Sequence, residues 1–216
     1  MHFFYLHGFA SSAQSSKARF FADRLARHGM ALHCPDFNEP DFSTLTITRM
    51  IGQVIDRVEQ LPPSPLVLIG SSLGAFVAVQ VAGKLERGRD HPIARLILLA
   101  PALELAWERW SQLGPGGIER WRAMGRLDVF HYGFGKVLPV GFALYEDSRR
   151  YDAFSAPGDC PTLIFQGLQD DAVDPKVTER FARARSSRTL HLLNDGHQLL
   201  DSLALIWSET ARALGL

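Results

Sequence analysis

The chain has 216 residues, 23 basic against 23 acidic and a formal net charge of zero, a length that suits one domain spanning residues 1–216 with a single core. Hydrophobic residues make up 46% and charged residues 21%, which excludes disordered and fibrous classes, and the scattered charges offer no basic face for nucleic acid. No apolar run reaches the roughly 20 residues of a membrane span, and the only cysteines, Cys34 and Cys160, lack Cys-x-x-Cys spacing and read as small buried hydrophobes of a protein in a reducing cytoplasm.

Residues 2–6 are apolar but lack a positive leading region and a small-residue cleavage site, so they read as a strand and not a signal. A helix is expected over 16–28, carrying Phe20, Phe21, Leu25 and Ala26 and closed by Gly29. A strand at 31–34 leads to a second helix at 46–61, where Ile47, Met50, Ile51, Val54, Ile55 and Val58 form one stripe and Pro62-Pro63 stops it. Strand 66–69, helix 73–85 and strand 94–99 come next. Residues 102–156 form an insertion too long for an ordinary crossover, rich in aromatics from Trp107 to Tyr145 and broken by Gly114-Pro115-Gly116-Gly117 and Gly133-Phe134-Gly135. Strand 162–165, helix 175–185 behind an Asp174 cap, strand 189–192 and helix 199–214 complete the chain. Apolar strands alternating with amphipathic helices predict an α/β fold: a mostly parallel, doubly wound sheet of about six strands, helices on both faces and the aromatic insertion as a cap.

Gly70-Ser71-Ser72-Leu73-Gly74 fits Gly-x-Ser-x-Gly and lies between an apolar strand and a helix, the context in which a sharp turn presents a nucleophilic serine. Ser72 is at the centre of the pattern and Ser71 one residue off it. A nucleophilic serine needs a base and an orienting acid, which in this arrangement follow in the order serine, acid, histidine on loops after later strands. His197 stands in the turn Asn194-Asp195-Gly196-His197 before the last helix, and it alone of the eight histidines lies at a late strand end beyond both a serine and an acid. The spacing Gly167-x-x-Asp170-x-x-Val173 favours Asp170 as the acid, with Asp171 and Glu104 as alternatives and Asp174 better explained as a helix cap. His7-Gly8 ends the first strand, so the N–H groups of Phe9 and Leu73 are candidate donors to an oxyanion, with Gly8 beside the substrate. Trp107, Trp110 and Phe134 are candidate substrate contacts within the cap, against the alternative that the insertion's aromatics form a satellite core. No metal or organic cofactor is called for: His-Glu-x-x-His spacing and a glycine-rich phosphate loop with lysine are both absent.

With the His7-Gly8-Phe9 turn, the Gly70 to Gly74 turn, Gly167-x-x-Asp170 and Gly196-His197 in this order, the chain resembles the α/β-hydrolase superfamily. It is most similar to compact bacterial esterases of the YqiA type, through Leu6-His7-Gly8-Phe9-x-Ser11-Ser12 and Ser15-Ser16-Lys17-Ala18, although the aromatic insertion is longer than that group leads one to expect. The resemblance implies hydrolysis of small-molecule carboxylic esters, or thioesters, through an acyl-enzyme. An amidase or peptidase, a carbon–carbon bond hydrolase and a non-catalytic binding module on the same scaffold are the other readings, and no pattern specifies an oligomeric state.

Overall fold

The strands of the main sheet divide their side chains between two cores, which explains why the sequence shows continuous apolar runs there instead of alternation. In the computed structural model, which describes residues 1–85 and 90–216, these strands are β1 (His2–Leu6), β2 (Leu32–His33), β3 (Leu66–Ser71), β4 (Ile93–Leu99), β7 (Thr162–Gly167) and β8 (Arg188–Leu193). They pair in the order β2-β1-β3-β4-β7-β8, every pairing parallel, with registers such as Phe4 opposite Leu68, Leu68 opposite Leu96 and Leu98 opposite Ile164. Phe4, Leu6, Leu66, Leu68, Leu96, Leu98 and Ile164 enter one core. The intervening Phe3, Tyr5, Val67, Ile69, Ile97, Leu99, Leu163 and Phe165 enter the other.

Helix α1 (Ser16–Ala26), through Ala18, Phe21 and Leu25, and α7 (Leu203–Leu214), through Ile206, cover the second core. Helices α2 (Ile47–Glu59), α3 (Leu73–Leu85) and α6 (Pro175–Arg183) cover the first. The chain therefore leaves β1 toward one face and returns to β3 from the other, so the order of strands reverses at β1. Ligands of open parallel sheets bind outside the carboxyl ends of the strands at such a reversal.

Between β4 and β7 the insertion is broken into short pieces, as expected: two 3₁₀ turns at Trp107–Arg109 and Ser111–Leu113, helix α4 (Gly117–Met124), an antiparallel hairpin of β5 (Arg126–His131) and β6 (Lys136–Gly141), and helix α5 (Ala143–Ser148). Trp107, Trp121 and Phe142 pack inward, whereas Phe130, Tyr132 and Phe134 are exposed. Trp121 is fully buried, its indole N–H donating to the Val140 carbonyl at 3.1 Å, and its ring meets Trp107 at 5.9 Å and Phe142 at 5.6 Å. These residues belong to the same core as α2 and α3. The insertion's glycines have a local reason as well, since Gly114, Gly116, Gly117 and Gly135 all have positive φ at the ends of these pieces.

Most boundaries fall within one or two residues of expectation, α1 and α6 each ending two residues early, and two of the differences have a clear local cause. The strand expected at 31–34 pairs only through Leu32 and His33, because it is an edge strand followed by the Pro35 turn. The last helix begins at Leu203 and not at residue 199: Leu199 has φ +53, and the Asp195 carboxylate accepts the Ser202 N–H at 3.0 Å, which holds the intervening residues in a turn. Among the described residues, no helix is long and apolar enough to cross a membrane.

Candidate active site

Ser72 sits where β3 turns into α3 with almost no room to spare. Its φ is +53, a conformation costing a non-glycine residue roughly 1–2 kcal/mol. The turn is held by Ser72 N–H donating to the Leu99 carbonyl at 2.9 Å and by the Ser72 carbonyl accepting Ala75 N–H at 3.0 Å and Ala102 N–H at 3.2 Å. A Cβ on Gly74 would stand 2.0 Å from the Leu6 carbonyl oxygen, and one on Gly70 would stand 2.5 Å from the Ala75 Cα, so both flanking glycines are required by close backbone approach. The packing of α3 against β1 and β3 thus leaves Ser72 at the carboxyl edge of the sheet.

Two loops meet it there. His197 Nε2 lies 3.2 Å from Ser72 Oγ, and its Nδ1 lies 2.9 and 3.0 Å from the two Asp170 oxygens. The Asp170 side chain is completely shielded from solvent and that of His197 is 18% exposed. Asp170 also accepts the Ala172 and Val173 N–H groups, each at 2.9 Å, and the Gln166 amide at 2.8 Å. Burial alone would raise the Asp170 carboxyl, but the His197 contact, the Val173 N–H and the Gln166 amide outweigh it and hold the group below the ordinary carboxylate range. With Asp170 ionised at Nδ1, the His197 proton belongs on Nδ1 and the Nε2 lone pair faces Ser72.

The rival acids are elsewhere. Asp174 caps α6, accepting Lys176 N–H at 2.9 Å; Glu104 pairs with Arg180 at the surface; Asp171 is exposed. His7 is held by other partners: Phe37 N–H donates to its Nε2 at 3.0 Å, so the proton is on Nδ1, which donates to the Gly8 carbonyl at 2.9 Å.

That last bond bears on Phe9. Gly8 C=O and Phe9 N–H belong to one planar peptide and point in opposite directions, so His7 fixes where the Phe9 N–H is aimed. Gly8 itself is packed against Ser72, its Cβ position 3.3 Å from the Ser72 Cβ. Among the described residues, neither Phe9 N–H nor Leu73 N–H donates to another protein atom. Trp107 and Trp110 lie against the Phe9 ring, with centroids 6.3 and 5.1 Å away, and Trp107 is buried with its indole N–H donating to Ser148 Oγ at 2.9 Å. Phe134 is not with them: it stacks on His131 at 4.3 Å and lines a cavity of about 230 Å³ whose walls include neither Ser72 nor His197.

Sequence reasoning missed three side chains around this centre. Gln166 is fully buried in β7 and ties Asp170 to Thr178, whose hydroxyl donates to Gln166 Oε1 at 2.9 Å. Asn38 accepts from His131 Nε2 at 2.9 Å and donates to the Ser11 carbonyl at 2.9 Å and to Asp36 at 2.8 Å, joining the hairpin to the turn that carries Phe9. Lys17 is buried behind the His197 loop. The signal available was the same for Gln166 and Lys17, a polar residue on an otherwise apolar strand or helix face.

The family model described as "Uncharacterised protein family (UPF0227)" matches residues 2–202. No curated protein matches the sequence. Among solved structures, one from Agrobacterium vitis S4, whose hydrolase assignment is provisional, superposes with a TM-score of 0.84 at 21% identity, covering 98% of this chain and 87% of that one. Alpha/beta hydrolase domain-containing protein 10 from mouse gives 0.79 at 15% identity, covering 99% and 89%. Est1E from Butyrivibrio proteoclasticus, with ferulic acid bound, gives 0.78 at 17% identity, covering 99% and 89%. At these identities the likeness establishes the α/β-hydrolase fold.

Proposed function

Because the chain belongs to the uncharacterised protein family UPF0227 and has the α/β-hydrolase fold, we propose that it is a serine hydrolase cleaving carboxylic esters, or thioesters, through an acyl-enzyme. The observation that carries this reading is the continuous contact from a strained, edge-presented Ser72 Oγ to His197 Nε2 at 3.2 Å and from His197 Nδ1 to the shielded Asp170 carboxylate at 2.9 Å. Nucleophile, base and orienting acid are chemically distinct roles, and each of these side chains has the partner its role requires.

In this reading Ser72 Oγ attacks the substrate carbonyl carbon while His197 Nε2 takes its proton, and Asp170 holds the ring and stabilises the imidazolium. The carbonyl oxygen becomes an oxyanion, received by the N–H groups of Phe9 and Leu73, which have no other acceptor among the described residues. The tetrahedral intermediate collapses, the alcohol or thiol leaves with the proton from His197, and the acyl group stays on Ser72. Water, deprotonated by the same Nε2, attacks the acyl-enzyme, and the second tetrahedral intermediate breaks its bond to Ser72 Oγ, which recovers the proton from His197 as the carboxylic acid leaves. The indoles of Trp107 and Trp110, packed on Phe9, would offer an apolar wall on the insertion side, and this reading leaves Phe134 outside the site.

Est1E, whose structure carries ferulic acid, a carboxylic acid of the kind that ester cleavage releases, supports an ester as the substrate class. The test is turnover of p-nitrophenyl esters of graded chain length alongside acyl-CoA thioesters, by wild type and by Ser72→Ala. Turnover by wild type and a loss of several orders of magnitude in Ser72→Ala are expected. Equal turnover by the two proteins would overturn the reading.

A further inference from the structure

Lys17 lies in the first turn of α1, on the stripe that carries Ala18, Phe21 and Leu25, and only 7% of its surface is exposed. Its ammonium donates to the Gln198 carbonyl at 3.0 Å, across 181 positions of sequence and next in the chain to His197. The charged groups facing it are Asp170 on the loop after β7 and Asp195 on the loop after β8. Burying an ammonium costs several kcal/mol, and a cation in the first turn of a helix opposes the helix dipole. For stability alone an apolar residue on this stripe serves better, so the lysine calls for a role at the loops it touches.

We propose that Lys17 is a positioning residue for the hydrolysis inferred above: by donating to the Gln198 carbonyl while facing Asp170 and Asp195, its ammonium fixes the backbone on which His197 is carried. The proposal rests on the reading of Ser72 and His197 as nucleophile and base. The His197 ring is held at its two nitrogens by Asp170 and Ser72, and Ser72 is the partner that must move during reaction. A fixed backbone beside the ring therefore decides whether Nε2 stays in reach, and a displacement of about 1 Å costs roughly 100-fold in rate. Burial lowers the Lys17 pKa from 10.5 to about 8, with the two carboxylates opposing the fall. The charge that grips the loop is thus lost as pH rises through that value. Stability responds with the opposite sign: between about 8 and 10.5 the unfolded chain binds more protons at this lysine than the folded one, so folding is favoured by rising pH in that window.

The experiment measures kcat and KM on one p-nitrophenyl ester, together with thermal melting, from about pH 6 to about pH 10 for wild type, Lys17→Met, Lys17→Gln and Lys17→Arg. Wild type should lose kcat above about pH 8. Lys17→Met and Lys17→Gln should lose about 10- to 100-fold in kcat with little change in KM, show no alkaline decline, and melt at or above the wild-type temperature; Lys17→Arg should recover part of the rate. A Met or Gln variant with wild-type kcat and a wild-type alkaline limb overturns the proposal, as does a rate loss that only follows a fall in melting temperature. If the Met variant does not fold, the Gln variant and the wild-type alkaline limb decide it. A wild type inert toward esters and fluorophosphonates overturns the hydrolase reading and this proposal together, whereas an active wild type beside unaffected Lys17 variants overturns the role of Lys17 alone.

Discussion

Asp170 holds more of the site together than its single ring contact suggests, since its two oxygens receive His197, Gln166 and the N–H groups of Ala172 and Val173. Replacing it by asparagine keeps the shape but favours the wrong tautomer of His197, and kcat should fall by roughly 10³–10⁴-fold while Asp171→Asn has little effect. The same residue has a signature in stability. A carboxyl held below its ordinary value in the fold stabilises the protein above that value, and the contribution disappears as pH falls through the folded value. The gap in melting temperature between wild type and Asp170→Asn should therefore close on acidification below about pH 4; a gap constant with pH would contradict it. Ser72, Asp170 and His197 could be singled out because each stands in a turn after an apolar strand, where packing leaves the residue type open. Gln166 and Lys17 could not. A polar residue in an apolar pattern declares that it needs a partner but not which one, and the Lys17 partner is 181 positions away.

Among the described glycines, Gly74, where α3 crosses β1, meets the closest backbone approach. Gly74→Ala would drive a methyl to 2.0 Å from the Leu6 carbonyl and should cost about 3 kcal/mol or more in urea unfolding, with loss of activity. Gly29→Ala, with φ +72 and open space around it, should cost only about 1–2 kcal/mol. The hairpin is tied to the Phe9 turn differently, through Asn38, His131 and the donation of Gly133 N–H to the Ala10 carbonyl at 3.1 Å. Asn38→Leu leaves a buried His131 N–H and the Ser11 carbonyl unpaired, about 1–3 kcal/mol each. Amide exchange should then accelerate across residues 126–141 while β3 and β4 stay protected; uniform acceleration would show that Asn38 acts on the whole fold. The main sheet was readable from its apolar runs, yet this hairpin was read only as broken insertion. Its own alternation, Leu127, Val129 and His131 buried between exposed Arg126, Asp128 and Phe130, was hidden by two aromatics on the solvent side, Phe130 and Tyr132. The start of α7 was misplaced because the positive φ of Leu199 and the Asp195 contact to Ser202, which hold the preceding turn, leave no pattern in the sequence.

Taken as a whole, the molecule packs part of its insertion into the main core. Trp121 is fully buried and contacts Trp107, Phe142 and Tyr145, all packed with α2 and α3. Trp121→Ala should therefore lower the stability of the entire chain by about 3–5 kcal/mol in one cooperative transition; a second, low-temperature transition with an unchanged main one would show that the insertion folds apart. This continuity also brings the Trp107 and Trp110 rings onto Phe9, so the turn after β1 and the core of the protein are packed together. The assembled centre is tested most directly by exposing the folded protein to a fluorophosphonate and mapping the adduct by peptide mass. Stoichiometric phosphonylation confined to Ser72, abolished in Ser72→Ala and slowed by orders of magnitude in His197→Ala, is the predicted result. Folded wild-type protein that stays unmodified, or that is modified at Ser71 or elsewhere with Ser72 intact, would contradict it.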